Sequence, residues 1–467
     1  MSDRSQRYRE PGREEHAQSG AGTGTRSESS SRTATRKKSL LGLVIAVCVT
    51  GVVLSLATRV THPDRAAAST RPSATGGASP SGPANLAGAL PSVATTTATP
   101  TATAAATAAA TPAVLTQTVQ SSDTLPGTLS LDWPDATESA TALEGVGTMA
   151  THGTPDTPVP IASVTKTMTA FLVLKDHPMQ PGGSGATMTV EQSEADAYSQ
   201  ELALNQSLVR VNAGEQLTER QALQALMLAS ADNVAQILGR WDAGSDTAFV
   251  AEMNKEASSL GMTDSRFTDP SGYDSGTRSS ANDLIKLGEA AMAIPAFAQI
   301  VAETSAQIPV AGTVTNYNKL LGENGVDGIK TGSTSAAGGC LLFAAKHVVD
   351  GQTVTVIGVV LGAPGSNATA ELKNVLSGSD ELLESVEAAL REFTVAPQGV
   401  SVATGPAPGS PSGSTAAVRL GPKQSFSLIA WPGLTLTLKT ATASGGPVLT
   451  LAGPSGASLG TAQLTAI

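Results

Sequence analysis

Hydrophobic and polar positions sort this chain into stretches of different character. Leu40 to Ala57 (LLGLVIAVCVTGVVLSLA) is an uncharged, largely apolar run of 18 residues, just long enough for a helix to cross a hydrocarbon core. No polar face interrupts it, which argues against a half-buried helix of a soluble domain. A cleaved signal peptide has a shorter apolar core close to the N-terminus, whereas nearly forty mostly polar residues stand before this run. The pattern predicts an uncleaved transmembrane anchor over 39–58. Arg36, Lys37 and Lys38 sit directly before it, and only Arg59 and Arg65 lie close behind. That bias puts the N-terminus in the cytoplasm and everything from Val60 onward outside the cell.

Residues 1–38 contain almost nothing apolar, so they cannot offset the entropy of ordering and read as a disordered cytoplasmic tail. Residues 59–125 are dominated by Ala, Thr, Ser and Pro (SVATTTATPTATAAATAAATPAV) and read as an extended spacer. Periodic patterning starts after it. Short strands alternate around Ala142 to Met149, a strong helical period runs from Leu217 to Leu238, and a strand pair is predicted at Gly339–Ala345 and Thr353–Leu361. Strand, then helices, then strands predicts an α+β domain over 126–395, its helices packed on a mostly antiparallel sheet. A Gly/Pro/Ser linker is expected over 396–415. Within 416–467, Leu434, Leu436 and Leu438 alternate with Thr435 and Thr437, the pattern of a half-buried strand in a small C-terminal β module.

Composition removes several function classes. A net charge of −10 without a long basic stripe outside the pre-membrane cluster argues against a nucleic-acid partner. The two cysteines, Cys48 and Cys340, fall on opposite sides of the expected membrane boundary, so no intrachain disulfide is available. Five histidines, at 16, 62, 152, 177 and 347, give no metal-ligand spacing, and no metal or other cofactor is expected. Cys340, among Leu341, Leu342 and Phe343, reads as a small core residue, and His347 near the end of the same strand as a surface residue.

Chemistry is carried by three short motifs in order. Ser163-Val-Thr-Lys166 leads into apolar positions at helical spacing, and residues three apart on a helix share a face, so hydroxyl and amine can meet. A serine becomes a nucleophile beside a base, and a lysine can be that base when burial or a neighbouring cation makes its proton easier to lose. Alone, the four residues read more simply as a capped helix with an exposed lysine. Ser230-Ala-Asp232 follows the apolar stretch QALQALMLA. Lys330-Thr331-Gly332 stands in GVDGIKTGST, immediately before an apolar strand. Its cation can hold a substrate carboxylate, and its glycine lets backbone come close to a substrate.

With these motifs and the stretches IASVTKTMTA, VNAGEQLTERQALQALMLASADN, GMTDSRFTDPSGYDSGTRSSANDL and GIKTGST, residues 135–365 resemble the Ser-x-x-Lys penicillin-recognising enzymes, and among them the low-molecular-mass D-alanyl-D-alanine carboxypeptidases. The resemblance implies a β-lactamase/transpeptidase-like α+β fold with a helical subdomain. It implies action on peptidoglycan stem peptides ending in D-Ala-D-Ala, and acylation by β-lactams. In catalysis Ser163 would be the acylated nucleophile, Lys166 its base, and Ser230 a proton relay to the leaving amine. In binding, Lys330 and Thr331 would hold the terminal carboxylate, with Asp232 and Gly332 beside them. The backbone N–H groups of Ser163 and Ser333 would form the oxyanion hole.

One position departs from the family. Asp232 stands where asparagine is usual, and an ionised carboxylate accepts hydrogen bonds where an amide also donates. An ion pair with Asp232 would favour the ammonium form of Lys166 and oppose its role as base. Asn233 could substitute only by moving Ala231 to the serine position. Two rival readings follow: a binding or sensing module that keeps the fold with weakened turnover, and a β-lactamase-like hydrolase. Glu201-Leu-Ala-Leu-Asn205 matches the deacylating Glu-x-x-Leu-Asn of class A β-lactamases in its letters, but it precedes the middle motif where that class has it afterwards, and is read as coincidence. Gly456-Ala-Ser458-Leu-Gly460 matches a nucleophile elbow with no histidine downstream, and is read as a loop.

Overall fold

Five antiparallel strands form the central sheet, in the order Val326–Thr334, Gly338–Val349, Gln352–Ala363, Glu138–Leu143 and Gly147–Gly153. The computed structural model describes residues 113–467, and the expected cytoplasmic tail, the anchor over 39–58 and most of the spacer lie outside the described residues. Gly338–Val349 and Gln352–Ala363 are apolar on both faces, as strands covered on two sides must be. Cys340, Leu342, Ala344, Ile357 and Val359 point into one core, and Leu341, Phe343, Ala345, Val356 and Val360 into the other. Gly358 makes room for Phe343, whose ring would lie 1.9 Å from a Cβ at that position.

The first core is helical. It contains α1 (Lys166–Asp176), α3 (Glu219–Met227), α4 (Asp232–Ala243), α5 (Asp246–Ser259), α6 (Ala281–Met292) and α7 (Pro295–Val301), while α2 (Gln192–Ala203) lies at its edge. Helix starts follow local chemistry. Thr218 and Gln221 make a reciprocal capping box at α3, and the Ser280 hydroxyl caps α6. The helical period expected from Leu217 to Leu238 is thus two helices, broken at Ser230, whose φ is +59°. The opposite face of the sheet is covered by α8 (Ala368–Ala389), capped by Asn367.

The C-terminal β structure is larger than the sequence reading allowed. Its seven strands run in the order Thr116–Gln117, Ala403–Pro406, Ala417–Pro422, Ser458–Ala466, Gly446–Ala452, Thr435–Ala443 and Ser122–Thr124. Two strands come from the stretch expected to be spacer, and Ala403–Pro406 falls inside the expected linker. These pieces are two to four residues long, with too few apolar positions to show alternation. Arg391–Ala396, at the end of the expected α+β domain, pairs with Phe426–Ala430. Ser458, in the elbow-like pattern, opens the last strand.

His347 is also corrected: it is buried, with Nδ1 3.7 Å from Glu387 Oε2, because the face of its strand that looked free is covered by α8. Cys340 is fully buried, and burial pushes its thiol up to about 12. Among the described residues no single helix is long and apolar enough to cross a membrane.

Candidate active site

Ser163 lies in a 3-10 turn (Ala162–Thr165) that runs directly into α1. Ala162, just before it, has φ +46°, a left-handed conformation that is strained for a residue with a Cβ and is typical of sites where surroundings force the backbone. Two glycines supply those surroundings. A Cβ on Gly272 would lie 1.9 Å from the Ala162 carbonyl oxygen, and one on Gly332 would lie 2.9 Å from the Ser163 nitrogen. Gly332 therefore lets the edge strand Val326–Thr334 pass against the Ser163 turn. The close approach expected of this glycine is made to the chain's own backbone.

One helical turn on, Lys166 is fully buried. Its Nζ donates to Ser163 Oγ at 2.9 Å, to Asp232 Oδ1 at 2.5 Å and to the Ser271 carbonyl oxygen at 2.8 Å. All three ammonium protons have acceptors, one of them charged. Asp232 is the first residue of α4, where the helix N-terminus favours a negative charge. Its second oxygen accepts the Ser207 N–H at 2.9 Å, and its own N–H donates to the Ser207 carbonyl at 2.7 Å. Asn233 turns away: its amide donates to the Val209 carbonyl at 2.8 Å and accepts the Val209 N–H at 3.3 Å. Asp232, and not its neighbour, is the group that meets Lys166.

The carbonyl of Ser271 is held in place by Asp269. One Asp269 oxygen accepts from the Ser271 hydroxyl at 2.6 Å and from the N–H groups of Ser271, Gly272 and Tyr273 at 3.2, 2.8 and 3.0 Å, while the other accepts from Thr277 Oγ1 at 2.6 Å. This loop also accepts the Thr169 hydroxyl at the Pro270 carbonyl, 2.6 Å away. Asp269 thereby fixes the third acceptor of Lys166.

Lys330-Thr331-Gly332 lies within the edge strand itself, with the expected apolar strand Gly338–Val349 following it. Lys330 is 1% exposed and donates to the Thr331 carbonyl at 2.8 Å. Burial, with the Lys166 ammonium nearby, holds it well below the ordinary lysine range, and Asp232 pulls the other way. Ser333 Oγ donates to Glu371 Oε2 at 2.5 Å, a contact made by the first turn of α8.

These elements surround an open cavity of about 570 Å³, lined by Ser163, Asp232 and Ser333 together with Ser207, Tyr273, Asn367 and Glu371. Ser230, Lys166, Lys330 and Thr331 are buried. Leu204 and Asn205 also line the cavity, so the Glu201–Asn205 segment reaches the cleft although Glu201 itself is buried at the end of α2. Burial pushes the Glu201 carboxyl up against the opposing hydrogen bond to Gln236, and Asp232 adds to the rise. Glu371, Asp269, Ser207 and Tyr273 escaped the sequence reading. Only Asp269 had a signal, the turn-forming Asp-Pro-Ser-Gly that begins with it. Glu371 looks like any acid on an amphipathic helix.

The profile of the D-alanyl-D-alanine carboxypeptidase family matches residues 137–365. A D-alanyl-D-alanine carboxypeptidase of a Streptomyces species is 32% identical over 237 residues, which are 47% of this chain and 78% of that protein. The chain belongs to the D-alanyl-D-alanine carboxypeptidase family. Another relative, a D-alanyl-D-alanine carboxypeptidase of Mycobacterium tuberculosis, is 42% identical over 137 residues, 28% of this chain, and this chain spans only 46% of its length. The crystal structure of penicillin binding protein 5 from Haemophilus influenzae matches with a TM-score of 0.55 at 21% identity, covering 73% of this chain and 98% of that one. The fold is thus the penicillin-binding, β-lactamase-like α+β fold with a β-rich C-terminal sheet. The family profile spans all three motifs and stops at Gly365, short of α8 and Glu371.

Proposed function

We propose that this family member is a serine-type D-alanyl-D-alanine carboxypeptidase that trims peptidoglycan stem peptides through an acyl-enzyme on Ser163. The observation that carries the proposal is the Lys166 amine, buried and 2.9 Å from Ser163 Oγ, in a chain whose family acts on this bond. Ser163 Oγ attacks the carbonyl carbon of the D-Ala-D-Ala peptide bond as its proton passes to Lys166 Nζ. The carbon–nitrogen bond then breaks, and the leaving amine of D-alanine takes a proton relayed from Lys166 through Ser230. Water hydrolyses the ester and returns Ser163. The N–H groups of Ser163 and Ser333 are the donors for the developing oxyanion, each such donor contributing about 3 kcal/mol in comparable sites. Lys330 and Thr331 receive the terminal carboxylate, and an anionic partner would offset the burial that makes the Lys330 proton easier to lose. A β-lactam acylates the same serine. The apolar run over 40–57 and its flanking charges support a single-pass anchor with the catalytic domain outside the cell.

A second reading, a binding or sensing module with slow turnover, is favoured by one observation. The 2.5 Å contact between Lys166 and Asp232 stabilises the ammonium, which cannot take the serine proton. Labelling with a fluorescent penicillin separates the readings. Rapid labelling of the wild type that disappears in Ser163→Ala supports the enzyme. A folded wild type that takes no label overturns it.

A further inference from the structure

The far ends of the two helices that carry the site meet in a cluster of acids. Asp176 closes α1, Asp242 lies in the last turn of α4, and Glu252 faces them from α5, with one carboxylate oxygen of each within 4.8 Å of the others. Both α1 and α4 point their C-terminal, negative dipole ends here. The Asp242 side chain is only 2% exposed, yet neither of its oxygens has a hydrogen-bond partner among the described residues. His177 Nε2 lies 3.0 Å from one of them as an ion-pair partner, its ring packed on Trp241 with centroids 4.1 Å apart. The cations nearest in sequence are engaged elsewhere, Lys175 with Glu256 and Arg240 with Glu191 and Glu194. Burying a carboxylate is costly, and here two further acids and two helix ends add to the cost, with His177 the one cation that offsets it among the described residues. Burial, Asp176 and Glu252 all push the Asp242 carboxyl up, while His177 opposes them.

We propose that Asp176, Asp242 and Glu252 form a binding site for a hard divalent cation of the calcium type. The donors are carboxylate oxygens, the ligands such ions prefer, and the exposed Asp176 and Glu252 leave room for the waters that complete a coordination shell of six to eight. The ion is a brace. It ties α1 to α4 and α5 at the end opposite Ser163, Lys166 and Asp232, and α1 is 11 residues long, about 16 Å at 1.5 Å per residue. It therefore touches no reacting atom and acts on stability.

The test uses the purified full chain, stripped with chelator. Calcium at about a hundred times its Kd is expected to raise Tm by roughly 5 °C, and Tb³⁺ to give luminescence sensitised by Trp241 and competed away by Ca²⁺. Asp242→Asn should abolish both responses and, by removing a buried charge, raise Tm in the chelator. If Asp242→Asn does not fold, Glu252→Gln, at an exposed position, should weaken both responses at least tenfold. No calcium-dependent shift in the wild type overturns the site. So does a shift that both variants retain, and a response to Zn²⁺ alone overturns the oxygen-donor assignment. Penicillin labelling should be unchanged throughout, which keeps this outcome separate from that of Ser163.

Discussion

Replacing Asp232 by asparagine probes the feature that sets this chain apart from its family. In the wild type Lys166 donates to a carboxylate at 2.5 Å and to two neutral oxygens. A hydrogen bond to a charged group contributes about 1.5–3 kcal/mol net, against about 0.5–1.5 for a neutral pair, so the carboxylate holds Lys166 Nζ more strongly than an amide would by roughly 1–1.5 kcal/mol. The amide has a further constraint. Its oxygen must accept the Ser207 N–H now taken by Oδ2, which turns its NH2 toward Lys166, an arrangement that suits the neutral amine. Since about 1.4 kcal/mol is a factor of ten, Asp232→Asn should speed acylation by a fluorescent penicillin about tenfold. The assay is the second-order labelling rate of wild type and variant at equal, limiting penicillin, with Tm measured beside it to confirm folding. A folded variant that labels no faster, or more slowly, would refute the reasoning.

Three other changes test separate parts of the account. Gly332→Ala sets a methyl 2.9 Å from the Ser163 nitrogen and 3.1 Å from that of Val164; labelling should slow roughly a hundredfold with a stability loss of about 1–3 kcal/mol, and wild-type kinetics would show that the strand does not press on the nucleophile turn. Lys330→Ala should lower kcat/KM for a D-Ala-D-Ala peptide by roughly thirtyfold or more, the loss of a charge-assisted hydrogen bond, and in the wild type KM should climb with pH below the ordinary lysine range, because burial has lowered the Lys330 value; an unchanged KM in the variant would remove it from carboxylate binding. Glu138 is fully buried and accepts the Ala281 N–H at 2.9 Å at the start of α6, and burial, partly offset by that hydrogen bond, raises its carboxyl from 4.5 to about 7. Because the folded value is the higher, its contribution is fully present below 4.5 and lost as pH rises through 7, about 3 kcal/mol in all; Glu138→Gln should flatten that slope in chemical denaturation, and identical slopes would show that Glu138 does not titrate there.

What the sequence disclosed and what it hid divide along physical lines. Ser163 and Lys166 were legible because a helix brings residues three apart onto one face, and both sheet strands at 338–363 were legible because they are buried on two sides and read as continuous apolar runs. The edge strand that carries Lys330 was not, since VDGIKTGST has two glycines and two strongly apolar residues. The third acceptor of Lys166 is the carbonyl of Ser271, and no side chain announces a carbonyl. Glu371 comes from α8, after the last motif, and reaches the cavity only because the sheet lays that helix against the edge strand. Strands at 116–117, 122–124 and 403–406 are short pieces in Ala-, Thr- and Pro-rich surroundings, defined by the neighbours they pair with.

The most direct test of the central claim is release of D-alanine from a stem peptide ending in D-Ala-D-Ala, followed by mass spectrometry for the wild type and for Ser163→Ala. Hydrolysis by the wild type, an acyl adduct on Ser163, and neither in the variant are the predicted results. A peptide left intact by folded wild-type protein, or cleaved equally by Ser163→Ala, would contradict the account.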